Sequence, residues 1–183
     1  MQRKVSTSLF HLPNFYKFSF VILIGVGIFF IGRKEIGNSM INESILFLYS
    51  VAKTIYFFSL LFARIRDTAD HQVDYKDIIA FIGYNTMLIV LSYGIDYLCL
   101  YEIDQSSFSG ITTREQFLPH LVTFFYFSIA TFSTAGFGDI APTTVTARLL
   151  ISSEMMLSWF LTILVIANFS SIRETFRQQH TKK

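Results

Sequence analysis

Long apolar segments separated by short polar segments dominate the sequence. They cover residues 18–32, 44–63, 78–101 and 147–169. Each approaches the ~20 apolar residues that a helix rising about 1.5 Å per residue needs to cross a hydrocarbon layer of about 30 Å. The pattern therefore predicts an all-α membrane protein with four transmembrane helices.

A fifth apolar segment, residues 118–132, is shorter, with about 15 residues. It contains Pro119, a residue type favoured in the first turn of a helix, and it is followed by Ser133 and Thr134. A helix of this length does not cross the membrane comfortably, but it can enter the membrane and return on the same side. We therefore predict a re-entrant helix followed by a loop at membrane depth.

The composition agrees with a membrane protein. Hydrophobic residues make up 52% of the chain and charged residues 15%, whereas a soluble domain typically carries about 25% charged residues. The 21 phenylalanines suit contact with the lipid bilayer. The net charge of +2 is too small to indicate a nucleic acid or another polyanion as partner.

Cofactor chemistry has little support in the sequence. Cys99 is the single cysteine, which excludes a disulfide within the chain, and the four histidines do not have the spacing of metal ligands. We therefore predict no metal centre, no organic cofactor and no enzymatic activity.

The distribution of Lys and Arg predicts the orientation. An even number of spans puts both termini on one side, and the basic residues are concentrated in the segments on that side, namely residues 1–17, 64–77 and 170–183. Cytoplasmic loops are enriched in Lys and Arg. We therefore predict a multi-pass protein of the cell membrane with both termini in the cytoplasm. The tail of residues 170–183 is too short for a soluble ligand-binding domain.

The loop after the re-entrant helix, residues 131–142, has the sequence TFSTAGFGDIAP. Carbonyls left unpaired in lipid are costly, so a loop at this depth needs to face protein or a watery path. A dehydrated monovalent cation can bind such carbonyls. A strand that points successive carbonyls the same way requires residues that tolerate positive φ, and Gly136 and Gly138 supply them at alternate positions.

Residues 134–139, TAGFGD, resemble the filter consensus T-V-G-Y-G-D of potassium channel pore domains, with Ala135 in place of Val and Phe137 in place of Tyr. The segment ARLLISSEMMLSW, which begins at Ala147, is also similar to the inner helix of small bacterial members of this family. The resemblance covers roughly residues 78–169.

This resemblance implies a channel that conducts K⁺ passively and selectively. The filter would be residues 134–138, with K⁺ bound by the backbone of Thr134, Ala135, Gly136 and Phe137. The implied pore domain has an outer helix (78–101), a pore helix (118–132) and an inner helix (147–169). The rest of the chain would form a cytoplasmic N-terminus (1–17), a peripheral two-helix region with a cytoplasmic loop (18–77) and a short tail (170–183).

The predicted filter needs more than one chain. One chain supplies one strand of carbonyls, which cannot surround an ion, whereas four strands about a rotation axis can. The geometry and the resemblance both indicate a homotetramer in the lipid bilayer. The resemblance also implies that Glu154 braces the filter from behind and that a cuff of aromatic residues holds its width, namely Phe124, Phe125, Tyr126 and Phe127. Asp139, at the outer mouth, would attract cations and anchor the filter to the pore helix.

Two charged residues lie inside apolar segments. By helical rise, Lys53 lies about 13 Å deep and Asp96 roughly 8 Å deep. A lone charge near the bilayer centre costs ~2.5–3.5 kcal/mol, and a lysine side chain can span the difference in depth, so we predict an ion pair. Separate snorkelling of each side chain to the interface is the alternative. For Glu154, the alternative to a brace is a carboxylate that lines the cavity.

Other functions fit parts of the motif. An intramembrane aspartyl protease would use Asp139 in a G-x-G-D pattern with Asp96 as its second carboxylate, but Asp139 lies at a predicted aqueous mouth. A potassium transporter subunit can have the filter sequence STAGF, which residues 133–137 match, but such chains carry four repeats and this sequence has one. A weakly selective monovalent cation channel is the main alternative.

Overall fold

The structure is a computed structural model that describes Gly27 and residues 39–70, 75–112 and 117–167. These ranges contain four α-helices: α1 (Ser39–Asp70), α2 (Tyr75–Ile103), α3 (Phe117–Phe132) and α4 (Val145–Ala167). The predicted first span, residues 18–32, lies outside the described residues apart from Gly27, and so do residues 1–17 and the tail, 170–183.

Three of the described helices are long and apolar enough to cross a membrane, over Ile41–Phe62, Ile82–Ile103 and Val145–Ile166. Helix α3, with 16 residues, is shorter, as the pattern predicts for the re-entrant helix. Helix α1 continues to Asp70, so that residues 64–70, predicted as part of a loop, are helical. Arg is a strong helix former and allows a helix to continue into the polar region beyond the apolar layer.

Helix α2 occupies the centre of the protomer. In its apolar membrane-spanning stretch 67% of the residues are buried, whereas the corresponding share is 33% in α1 and in α4. Tyr93, Tyr97 and Tyr101 follow one another at every fourth position, which places them on one face of the helix. All three are at most 2% exposed. The Tyr97 ring lies 5.3 Å from that of Phe127 and the Tyr101 ring 5.4 Å from that of Phe124, so this aromatic face fixes helix α3 against helix α2.

A buried ion pair joins helix α1 to helix α2. Lys53 Nζ donates to Asp96 Oδ2, and Ser50 Oγ donates to the same oxygen at 2.9 Å. The Lys53 ammonium also lies 4.2 Å from the centroid of the Tyr93 ring, a cation–π contact. Lys53 is 3% exposed and Asp96 1%, so neither side chain reaches the protomer surface.

Helix α1 also contacts the inner helix α4. The Tyr93 hydroxyl lies 2.6 Å from Thr54 Oγ1 on α1 and 3.0 Å from Ser153 Oγ on α4. Farther along, the ring of Phe160 on α4 packs between those of Phe58 and Phe62 on α1, with centroids 5.2 and 4.6 Å away. Helix α1 is therefore attached to both long helices of the pore region.

The loops on either side of helix α3 meet in a short antiparallel bridge, a departure from the predicted all-α fold. A 3₁₀ turn (Gln105–Ser107) leads into strand β1 (Phe108–Ser109), which pairs with strand β2 (Ala141–Pro142). Phe108 lies opposite Pro142, and Ser109 lies opposite Ala141. Two-residue strands are too short for an alternating hydrophobic pattern to reveal.

Breaking the buried ion pair should destabilise the fold. We expect Lys53→Met and Asp96→Asn each to lower the free energy of unfolding by roughly 3–5 kcal/mol, because removing one partner leaves an uncompensated buried charge. The double variant leaves no unpaired charge. Its free energy of unfolding should therefore fall by less than the sum of the decreases in the two single variants. Unfolding of the purified protein in detergent micelles measures all three.

Ser59→Ala is the matched control on helix α1, since Ser59 is exposed and its hydroxyl donates to the carbonyl of Ile55 in the same helix at 2.8 Å. Single losses no larger than that of Ser59→Ala, or losses that simply add in the double variant, would contradict a coupled pair.

Candidate filter and its supports

The pore helix α3 ends in a Schellman motif that leads directly into the predicted filter. The amide of Thr134 donates to the Thr131 carbonyl at 3.0 Å, and the amide of Ala135 donates to the Ala130 carbonyl at 2.9 Å. This motif places a residue in the left-handed conformation just after the helix, and here that residue is Thr134, with φ 56°. Thr134, the first residue of the predicted filter, therefore also terminates helix α3.

Every second residue of the loop has positive φ. The angles are 56° at Thr134, 55° at Gly136 and 78° at Gly138. Left-handed backbone costs an L-residue about 1–2 kcal/mol, and a β-branched residue such as Thr adopts it rarely. The sequence predicted this conformation for both glycines, but the strained Thr134 emerges only from the helix end described above. Such an alternation is expected of a strand that points successive carbonyls the same way.

The loop lies on the surface of the protomer. Residues 133–139 are all exposed. A Cβ atom built at Gly136 or Gly138 would meet nothing within 4 Å. Conformation, and not lack of space in the protomer, is therefore the reason for glycine at these two positions.

Tyr126, Phe137 and Asp139 form a cluster at the outer end of the filter. Tyr126 Oη donates to Asp139 Oδ2 at 2.8 Å. The Tyr126 ring stacks on that of Phe137, with centroids 6.1 Å apart and planes within 9° of parallel. The pore helix thus holds the filter strand at two points, one aromatic and one polar.

Of the four aromatic residues predicted as a cuff, Tyr126 contacts the filter in this way. Phe124 and Phe127 instead pack into the protomer core, 0% and 7% exposed, against the aromatic face of helix α2. Their spacing of three residues puts both on one face of the helix, and that face contacts helix α2.

Glu154 lies behind the pore helix, where it is 0% exposed. Its carboxyl group forms hydrogen bonds with Tyr97 Oη and with Ser128 Oγ, each at 2.5 Å. These partners belong to helices α2 and α3, so the side chain joins the inner helix to both.

The hydrogens around Glu154 can be counted. Ser128 Oγ lies 2.5 Å from Glu154 Oε1 and 3.0 Å from the Val90 carbonyl oxygen, yet a hydroxyl has one proton. All contacts are satisfied together when a neutral Glu154 donates to Ser128 and Ser128 donates to Val90. A neutral acid also avoids a second buried negative charge beside the Lys53–Asp96 pair.

A further contact supports the end of the pore helix. Ser158 Oγ on the inner helix donates to the carbonyl of Phe132, the last residue of helix α3. The last carbonyls of a helix lack partners within the helix, so this bond satisfies a group at the start of the loop.

Most of the predicted site residues lie in contact with one another, in three separate clusters. The filter, Tyr126 and Asp139 lie together, Glu154 lies behind the pore helix, and Lys53 and Asp96 form their own pair. The hydroxyl partners Tyr97 and Ser128 were not foreseen. The repeat of tyrosines at positions 93, 97 and 101 is the sequence signal that could have indicated a polar helix face.

A family model described as "Ion channel" matches residues 44–174, more than half of the chain. Curated relatives include the voltage-gated potassium channel Kch of Escherichia coli (strain K12), which is 31% identical over 155 residues, covering 77% of this chain and 33% of that protein. Another is the two-pore potassium channel 4 of Arabidopsis thaliana, 35% identical over 92 residues, covering 48% of this chain and 30% of that protein.

The alignments therefore span about a third of the length of either relative. No solved structure matches the chain. The family match includes most of helix α1 and all of helices α2, α3 and α4. The chain therefore belongs to the ion channel family, and its resemblance to potassium channel pore domains is confirmed.

Proposed function

We propose that this protein is a potassium-selective channel that conducts K⁺ passively through residues 134–138. Backbone oxygens of Thr134, Ala135, Gly136 and Phe137 bind the permeating ion in place of its water shell. The observation that carries this proposal is the positive φ at every second residue of the loop, since it is the backbone form that aligns carbonyls. Both curated relatives are named potassium channels, which favours K⁺ as the ion.

The channel is a homotetramer in the lipid bilayer. A single filter strand leaves its residues exposed, with Phe137 69% exposed, and four strands around an axis would cover them. The inner helix also presents large apolar side chains on the protomer surface, including Met156 and Trp159, at 63% and 69% exposed. Neighbouring subunits and lipid would bury such a surface.

The topology is that of a multi-pass protein of the cell membrane with four transmembrane helices per chain. Residues 18–32 supply the first span, and the three described spans supply the rest. Both termini face the cytoplasm, so the loop opens to the outside, and residues 78–169 form the pore domain. The distribution of Lys and Arg supports this orientation.

The supports of the filter have distinct roles. Tyr126 and Asp139 hold the outer end of the strand, while Glu154 fixes the pore helix to the inner helix. The Lys53–Asp96 pair connects the peripheral helix α1 to the pore domain. None of these side chains needs to contact the ion.

Two alternative functions are a weakly selective cation channel and an intramembrane aspartyl protease. A weakly selective cation channel would have the same architecture, and the unusual Ala135 leaves the motif compatible with it. An aspartyl protease requires two carboxyl groups that share a proton. Asp96 instead faces Lys53 and Ser50, and Asp139 accepts from Tyr126, so their immediate partners do not favour this chemistry.

Flux measurements on protein reconstituted in liposomes test the proposed function. We expect rapid K⁺ flux and much slower Na⁺ flux. Gly138→Ala should reduce K⁺ flux at least roughly tenfold, because positive φ costs an L-residue about 1–2 kcal/mol in each of four copies.

Gly83→Ala is the matched control, since Gly83 lies within helix α2 and a Cβ atom there meets nothing within 4 Å. Equal rates for K⁺ and Na⁺ would support the weakly selective alternative. If the wild-type protein passes neither ion, the channel proposal is wrong.

Glu154 provides a second test, based on its neutral form. Glu154→Gln should retain near wild-type conduction and thermal stability, because an amide can donate to Ser128 and accept from Tyr97. Glu154→Ala leaves the buried Tyr97 hydroxyl without its partner, at about 1–3 kcal/mol, whereas Ser128 keeps the Val90 carbonyl. This variant should therefore lower both conduction and thermal stability. Ser152→Ala, on the exposed face of the same helix, is the control. Equal damage from the Gln and Ala variants would contradict this role.

A further inference from the structure

Residues 104–110, between helices α2 and α3, contact Asp139, the residue that follows the proposed filter. We call residues 104–110 the mouth strap. Gly110, at its end, has φ 87°, and a Cβ atom there would lie 1.8 Å from the carbonyl oxygen of Asp139. The backbone of the strap is therefore in close contact with the outer end of the filter, and this contact requires glycine.

Hydrogen bonds extend the contact along the residues after the filter. The Thr143 amide donates to the Ser107 carbonyl at 2.9 Å, and Thr143 Oγ1 donates to the Ser106 carbonyl. Ser109 Oγ donates to the Ala141 carbonyl at 3.3 Å, beside the bridge between strands β1 and β2. Residues 139–143 are thus held on the strap by backbone and side-chain groups together.

The strap itself is anchored in the protomer core. Phe108 is 4% exposed, and its ring lies 5.3 to 5.8 Å from those of Phe124, Phe127 and Tyr97. At the other end, Asp104 accepts from the Ser106 amide at 2.9 Å and caps the 3₁₀ turn. The strap can therefore transmit the position of helices α2 and α3 to the outer mouth.

We propose that the mouth strap positions the outer end of the filter, with Gly110 and Thr143 as positioning residues that keep the conducting conformation when few ions occupy it. This inference rests on the proposed function. Permeating ions bind the conducting conformation and stabilise it by mass action. Contacts of the strap favour the same conformation, so their loss can be offset by a higher concentration of K⁺.

Thr143 offers the sharpest test, because it is exposed and lies in a loop, so its replacement should leave the fold intact. Thr143→Val removes the hydroxyl but keeps the shape, whereas Thr143→Ser keeps the hydroxyl. Conduction of the full-length channel in planar bilayers is recorded while K⁺ on the outer side is lowered stepwise from a saturating concentration.

We expect Thr143→Val to conduct like the wild type at saturating K⁺ but to require at least roughly fivefold more K⁺ for half-maximal conduction, because each of the four subunits loses one hydrogen bond of about 1 kcal/mol. Thr143→Ser should require the same K⁺ concentration for half-maximal conduction as the wild type. Gly110→Ala should raise that concentration more than Thr143→Val does, and Gly83→Ala is its control. A role in folding alone would not produce a loss that K⁺ reverses.

The proposal is wrong if the Thr143→Val curve coincides with that of the wild type, or if the Ser variant shifts as far as the Val variant. If the wild type conducts K⁺ in the same experiment, these results refute the role of the strap but leave the proposed function intact. A wild-type protein that conducts no K⁺ refutes both.

Discussion

The main physical constraint on this protein is that a non-helical backbone at membrane depth must have partners for its polar groups. The chain leaves helix α3 at Phe132 and remains irregular until strand β2. Its first amides bond back to the carbonyls of Ala130 and Thr131, and Ser158 reaches the Phe132 carbonyl from the inner helix. Among the described residues, none donates a hydrogen bond to the carbonyls of residues 134–138. Under the proposed function, a cation shared among several chains is the ligand of these carbonyls.

The same constraint explains the polar residues inside the long apolar helices. Lys53 and Asp96 neutralise one another, and Glu154 is enclosed by hydroxyl groups. Between these two groups, the Tyr93 hydroxyl contacts both helix α1 and helix α4. Polar contacts therefore join helix α1 to helices α2 and α4, and a second set joins helix α4 to helices α2 and α3.

The sequence predicted those features that depend on segment length and on local backbone preference. Apolar runs located the described spans and the short helix, and the alternate glycines at 136 and 138 indicated where positive φ occurs. The similar depths of Lys53 and Asp96 in the membrane, counted along their helices, sufficed to predict that they pair. Contacts that depend on how helices rotate against one another, such as Ser128 with Glu154, could not be foreseen. Nor could the mouth strap, since its two-residue strand carries no pattern and Gly110 resembles any loop glycine.

The central claim is that backbone oxygens of residues 134–138 from four chains surround the permeating ion. A structure of the purified channel with rubidium or thallium, heavier substitutes for K⁺, locates those ions directly. We predict four chains around one axis, with ion density on the axis between the carbonyl rings. A monomeric particle, or a tetramer whose filter loops lie away from the axis, would contradict the account.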